Sequence, residues 1–240
     1  MRRREASSLP AAVLSSIMKR SGIIVLGVAA AVVARGPVAD LLYSFALNLG
    51  GRGLSSQAQS LIAMVCDGAA MITAAWVATG RLNLDRGRAF PLAWPRDTTL
   101  AAAGIGVAVA LINVFVVRRF FPQATASSAT VATYLAGSPG PFAHLALGFG
   151  LAVFSPVVEE IFFRGLLQQG LDEAVPYVGL LAATALFVAE HPGSSSSPAV
   201  WILGLALALI YRRTRSVSAT IACHVVNNAL ILYVLSPLPR

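Results

Sequence analysis

Charge is what this chain has least of. Only 12% of its 240 residues are Asp, Glu, Lys or Arg, about half of the roughly 25% usual in a soluble domain. That excludes an ordinary globular protein in water. Cysteine is scarce too. Cys66 and Cys223 both fall within apolar runs, so there is neither a disulfide framework nor a C-x-x-C zinc pair. The chain has no H-E-x-x-H, which removes the zincin architecture, and no G-x-S-x-G, which removes the nucleophile elbow. Cys223 adjoins His224, but neighbours on a helix do not face each other, so a Cys–His nucleophile is excluded as well.

What is present is apolar. Hydrophobic residues make up 57% of the chain and the mean hydropathy is +0.74. The expected fold is all-α, a polytopic transmembrane helix bundle of about seven spans, within six to eight. The net charge is +8. In a soluble protein such a charge suggests nucleic acid. Here the basic residues lie between apolar runs, so they read as topology signals and no nucleic-acid partner is expected.

Four stretches divide the chain. Residues 1–20 form a basic N-terminal segment, 21–118 the N-terminal transmembrane helices, 119–142 a loop rich in Ser, Thr, Gly and Pro, and 143–236 the last spans. The first span, Ile23 to Val33, reads as a retained signal anchor, and Gly36-Pro37 predicts a break after it. The second, about Gln59 to Thr79, carries Asp67, expected to face the bundle and pair with a hydroxyl or an amide. The third, about Thr98 to Val117, contains Asn113. The fourth starts near His144 and is expected to kink at Pro156. The fifth, sixth and seventh follow at about Tyr177 to His191, Val200 to Tyr211 and Ser218 to Leu235. With the N-terminus inside, twelve basic residues fall on the inner side and four, Arg35, Arg52, Arg118 and Arg119, on the outer side. That asymmetry predicts a cytoplasmic N-terminus; the membrane expected is a bacterial plasma membrane.

The chain turns on P-V-V-E-E-I-F-F-R-G, Pro156 to Gly165. Glu159, Glu160 and Arg164 stand there inside an apolar run. Ionisable groups at membrane depth cost at least ~2.5–3.5 kcal/mol each, so they are rare and mark function. Glu160 and Arg164 are i,i+4 and share a helical face, while Glu159 points about 100° away. One carboxylate is therefore expected to be neutralised by Arg164 and the other left free for acid–base work. His191 ends span five, one turn after Phe187, with Glu190 beside it read as a loop-facing charge. His224 and Asn228 are i,i+4 in span seven. Groups that cannot face lipid face one another, which predicts convergence of Glu159, His191, His224 and Asn228. Three chemistries fit: hydrolysis by a glutamate-activated water with His–Asn oxyanion donors, a zinc held by His191, His224 and Glu159, or proton and ion movement.

E-E-I-F-F-R-G, F-V-A-E-H and H-V-V-N-N, in this order on three late helices, resemble the three motifs of the CAAX protease and bacteriocin-processing family: E-E-x-x-x-R, F-x-x-x-H and H-x-x-x-N. The resemblance covers about His144 to Leu235. It implies an intramembrane endopeptidase acting on a membrane-bound protein or peptide, in some relatives a prenylated C-a-a-X protein. By the same resemblance Glu159 activates water with His191 beside it, Glu160 and Arg164 shape the site, and His224 and Asn228 form the oxyanion side. The family is commonly labelled a metalloprotease, and a metal-free glutamate mechanism is also argued for relatives. The metal-free form is preferred here, because Glu159 as base needs no third strong ligand. The alternative is a non-catalytic member serving as a membrane scaffold or bacteriocin-immunity protein. A small transporter rests only on the intramembrane charges and lacks a visible inverted repeat.

Overall fold

The computed structural model describes residues 11–50, 53–90, 94–121, 140–175, 177–191 and 198–235. Arg2, Arg3 and Arg4, most of the 119–142 loop and the serines 194 to 197 lie outside these residues. Every regular element among the described residues is helical. α1 is Ala11–Asn48, α2 Ser56–Arg81 and α3 the single turn Arg86–Ala89. α4 covers Arg96–Phe120 and α5 Pro141–Ala174. α6 is Val178–Ala189, α7 Pro198–Thr214 and α8 Val217–Ala229, continued by π-helical Leu230–Leu235.

α1, α2, α4 and α5 are long and apolar enough to cross a membrane. They match the first four spans read from the sequence. α6, α7 and α8 match the last three and are shorter; α6, with 12 residues, falls below the ~17–25 residues of a full crossing. They pack against α4, α5 and one another. Large apolar side chains such as Leu26, Phe45, Trp76, Phe115, Phe149 and Leu181 are exposed. That pattern suits a helical membrane bundle, whose outer face meets lipid.

The break expected at Gly36-Pro37 is absent: α1 runs through Pro37 without interruption. Proline costs a helix about 3 kcal/mol by losing one backbone bond. A full break would strand several backbone groups in an apolar medium, at several kcal/mol each. The helix is the cheaper solution.

α5 is the centre. Ile161 through Asp172 are all buried, and its neighbours include α1, α2, α6 and α8. At one end of the bundle its amides reach across to other elements. Gln168 Nε2 donates to Ala208 O at 2.9 Å and Gln169 Nε2 to Asp85 O at 3.2 Å. Asp172 faces Arg212 and Arg215 at 3.8 and 3.6 Å. These links gather the arginines of α3 and of the α7 end at the same end of the bundle.

Gly106 marks where α4 meets α8. A Cβ there would lie 2.3 Å from the backbone oxygen of Cys223, the residue before His224. Backbone cannot swing aside as a side chain does. Gly106→Ala is expected to lower stability by about 1–3 kcal/mol, the cost of overpacking, read as a lowered unfolding temperature in detergent. An unchanged unfolding temperature would refute the close approach.

Two polar expectations are corrected. Asp67 pairs with the guanidinium of Arg35 at 3.3 Å rather than with a hydroxyl or an amide. Glu190 is not a free loop charge, since it too pairs with Arg35. Arg35, counted from sequence as an outer-side charge, is 8% exposed within the bundle. An arginine one helix away in space is far away in sequence, so no local pattern reveals the pairing.

Candidate active site

Glu159 and Glu160 sit in a six-residue α-helical stretch, Ser155–Glu160, between two π-helical segments, Gly150–Phe154 and Ile161–Gln168. Wide turns of this kind recur at functional sites because they displace the following residues around the axis. The first π turn has a local cause. Ser155 N–H donates to Gly150 O, five residues back. In that register the next donor would be residue 156, which is proline and has none. The carbonyl left over is that of Leu151, and Asn228 Nδ2 donates to it at 3.2 Å. A side chain of α8 thus completes the backbone of α5 just before the glutamates. Asn228 Oδ1 in turn accepts from Asn227 Nδ2 at 3.0 Å.

The two glutamates part company as the helical geometry requires. Glu160 is fully buried and pairs with Arg164 Nη1 at 3.0 Å. Arg164, also fully buried, gives Nη2 to Gly204 O at 3.1 Å and lies over the Phe187 ring, 4.9 Å from its centroid. Glu160 Oε1 also meets His224 Nδ1 at 2.9 Å. A carboxylate only accepts, so Nδ1 carries the proton and Nε2 is turned the other way. It faces Glu159 Oε2 at 3.9 Å. Glu159 Oε1 accepts from the Ser155 hydroxyl one turn earlier. Oε2 is buried and takes no hydrogen bond from the described residues.

His191 lies just past the end of α6. Its Nδ1 donates to Phe187 O at 2.6 Å, leaving Nε2 as the free nitrogen of the neutral ring. The Phe187 ring stands between the two imidazoles, 4.6 Å from His191 and 5.6 Å from His224, centroid to centroid. Glu159, Glu160, Arg164, His224 and Asn228 therefore meet through direct polar contacts or the two helices that carry them. His191 joins the group through Phe187.

Both imidazoles fix Nδ1 on an oxygen and present Nε2, the arrangement common in metal-bound histidines. The placement does not complete a zinc site: among the described residues no group of three His, Cys, Asp or Glu side chains is placed to share an ion.

Sequence reasoning missed Ser155. A hydroxyl one turn before a carboxylate on the same helix is a signal, although only an obvious one once the carboxylate is singled out. It took Arg35 only as an outer-side charge.

Comparison with known proteins supplies one match. Residues 141–230 match the family model described as Rce1-like, type II CAAX prenyl endopeptidase Rce1-like. The matched segment contains all three motifs on which the resemblance rested. No curated protein and no solved structure matches the chain.

Proposed function

From that match we propose that the protein is an intramembrane endopeptidase that hydrolyses a peptide bond in a membrane-associated protein or peptide, a prenylated C-a-a-X sequence being the first substrate class to try. The observation that carries the reading is the buried Glu159 Oε2, unpartnered and 3.9 Å from His224 Nε2. That separation is too long for a direct bond, so Oε2 is left to hold and deprotonate a water that enters with the substrate. Glu159 takes the proton of that water as it attacks the scissile carbonyl, then delivers it to the leaving amine. His224, held by Glu160 on its Nδ1 side, accepts the second hydrogen of the water at Nε2 and so orients it. Arg164 neutralises Glu160, so the carboxylate beneath His224 adds no net charge to the site. The second hydrogen of Asn228 Nδ2 and the Nε2 side of His191 are offered as further groups for the substrate's peptide bond. The mechanism needs no metal.

The protein is integral to the membrane. By the distribution of its basic residues its N-terminus is cytoplasmic, and the membrane proposed for it is a bacterial plasma membrane.

The test is cleavage in detergent of an internally quenched, prenylated C-a-a-X peptide, with mass analysis of the product and a parallel sample holding a strong zinc chelator. Release of the terminal tripeptide with and without chelator supports glutamate catalysis. Loss of cleavage on chelation would replace it with a metal mechanism. No cleavage of prenylated or unprenylated peptides would favour the scaffold or immunity reading.

A further inference from the structure

Arg35 is the least explained charge in the molecule. It stands inside α1, 8% exposed, far outside residues 141–230 matched by the family model. Its guanidinium touches three other helices or their ends. It pairs with Asp67 of α2 at 3.3 Å, with Glu190 at the end of α6, and lies over the ring of Phe162 in α5, 5.4 Å from the centroid. Phe162 follows Glu159 by three residues, and Glu190 immediately precedes His191.

Glu190 needs such a partner. It is the C-terminal cap residue of α6, where its own backbone N–H bonds back to Leu186 O and Val188 O. The C-terminus of a helix carries the negative end of its dipole, so a carboxylate there is disfavoured and a cation favoured. Arg35 supplies the cation from another helix. Among the described residues His191 has two hydrogen bonds of its own: Nδ1 to Phe187 O and its backbone N–H to Val188 O, at 2.6 and 3.1 Å. Both belong to the last turn of α6, so whatever fixes that turn fixes the imidazole.

We propose that Arg35 is a positioning residue for His191: by clamping Glu190 to α1 and α2 it holds the end of α6, and with it the imidazole, beside the Glu159–His224 pair. This rests on the peptidase reading and assigns the first helix a part in the reaction. Arg35 does not touch the reacting atoms.

The experiment compares wild type, Arg35→Met, Arg35→Lys, Glu190→Gln and the Arg35→Met/Glu190→Gln double variant in the peptide-cleavage assay. Displacement of a reacting group by about 1 Å costs on the order of 100-fold in rate. Arg35→Met and Glu190→Gln should each lower kcat by about 10- to 100-fold with KM within about twofold. The double variant should lose no more than the worse single one, since both remove one clamp. Arg35→Lys should restore most of kcat by returning the charge.

Hydrogen exchange on the same proteins gives a readout independent of cleavage. The amides of Glu190 and His191 should exchange faster in Arg35→Met, with those of Ile161 to Leu171 unchanged. If Arg35→Met does not fold, Glu190→Gln, which keeps the Arg35–Asp67 pair, decides in its place. Unchanged kcat, additive losses, or exchange raised throughout the bundle would overturn the proposal. If wild type cleaves nothing, the peptidase reading falls, and protection at 190–191 still decides whether Arg35 holds that turn.

Discussion

Glu159→Gln should lower kcat for peptide cleavage by about 100- to 10,000-fold, the usual contribution of a general base, and leave the folded protein intact. Glutamine has the shape of glutamate and keeps a carbonyl oxygen to accept from Ser155, as Glu159 Oε1 does. What it loses is the proton acceptor at Oε2, the atom facing His224. Unfolding temperature and peptide affinity should therefore stay near wild type while turnover collapses. Glu159→Asp should be a partial defect. The shorter side chain withdraws the carboxylate by about 1 Å, a displacement worth on the order of 100-fold. Steady-state kinetics with product identification separates the two. Full activity in Glu159→Gln would remove this residue as the base and, with it, the proposed mechanism.

Arg164→Met should destabilise the bundle by about 3–5 kcal/mol, the cost of breaking a buried ion pair from one side. Glu160 and Arg164 are both fully buried. Without the guanidinium, Glu160 keeps neutral partners such as His224 but no charge to answer its own, and the Gly204 carbonyl loses its side-chain donor. Arg164→Lys should rescue little, because an ammonium cannot reach two acceptors in the planar fork and stack over Phe187 at once. The Glu160→Gln/Arg164→Met double variant should be more stable than Arg164→Met alone, since it leaves no unpaired buried charge. Denaturation in mixed micelles measures this. A loss under about 1 kcal/mol for Arg164→Met would mean that the pair is solvated, in the range of exposed ion pairs, and that the bundle is open at Glu160.

The three motifs were legible because helical periodicity is local. Glu160 and Arg164, four residues apart, meet at 3.0 Å, and Phe187 and His191 meet by the same spacing. The membrane-bundle fold was legible because the scarcity of charge leaves few alternatives. What remained hidden depends on contacts between helices distant in sequence. Asn228 was expected to serve the reacting carbonyl. The structure shows one of its amide hydrogens on Leu151 O, an acceptor that exists only because a π turn meets a proline.

By itself the sequence determined that this is a helical membrane protein whose scarce charges collect on late helices, because apolar composition and the 3.6-residue repeat act along the chain. Tertiary structure alone added a histidine 64 residues away to the Glu160–Arg164 pair, because Glu160 Oε1 collects both. It also decided that Pro37 does not end α1 and that Arg35 lies inside the bundle. A lone arginine in an apolar run cannot be placed until the carboxylates that answer it are placed, and here those are Asp67 on α2 and Glu190 at the end of α6.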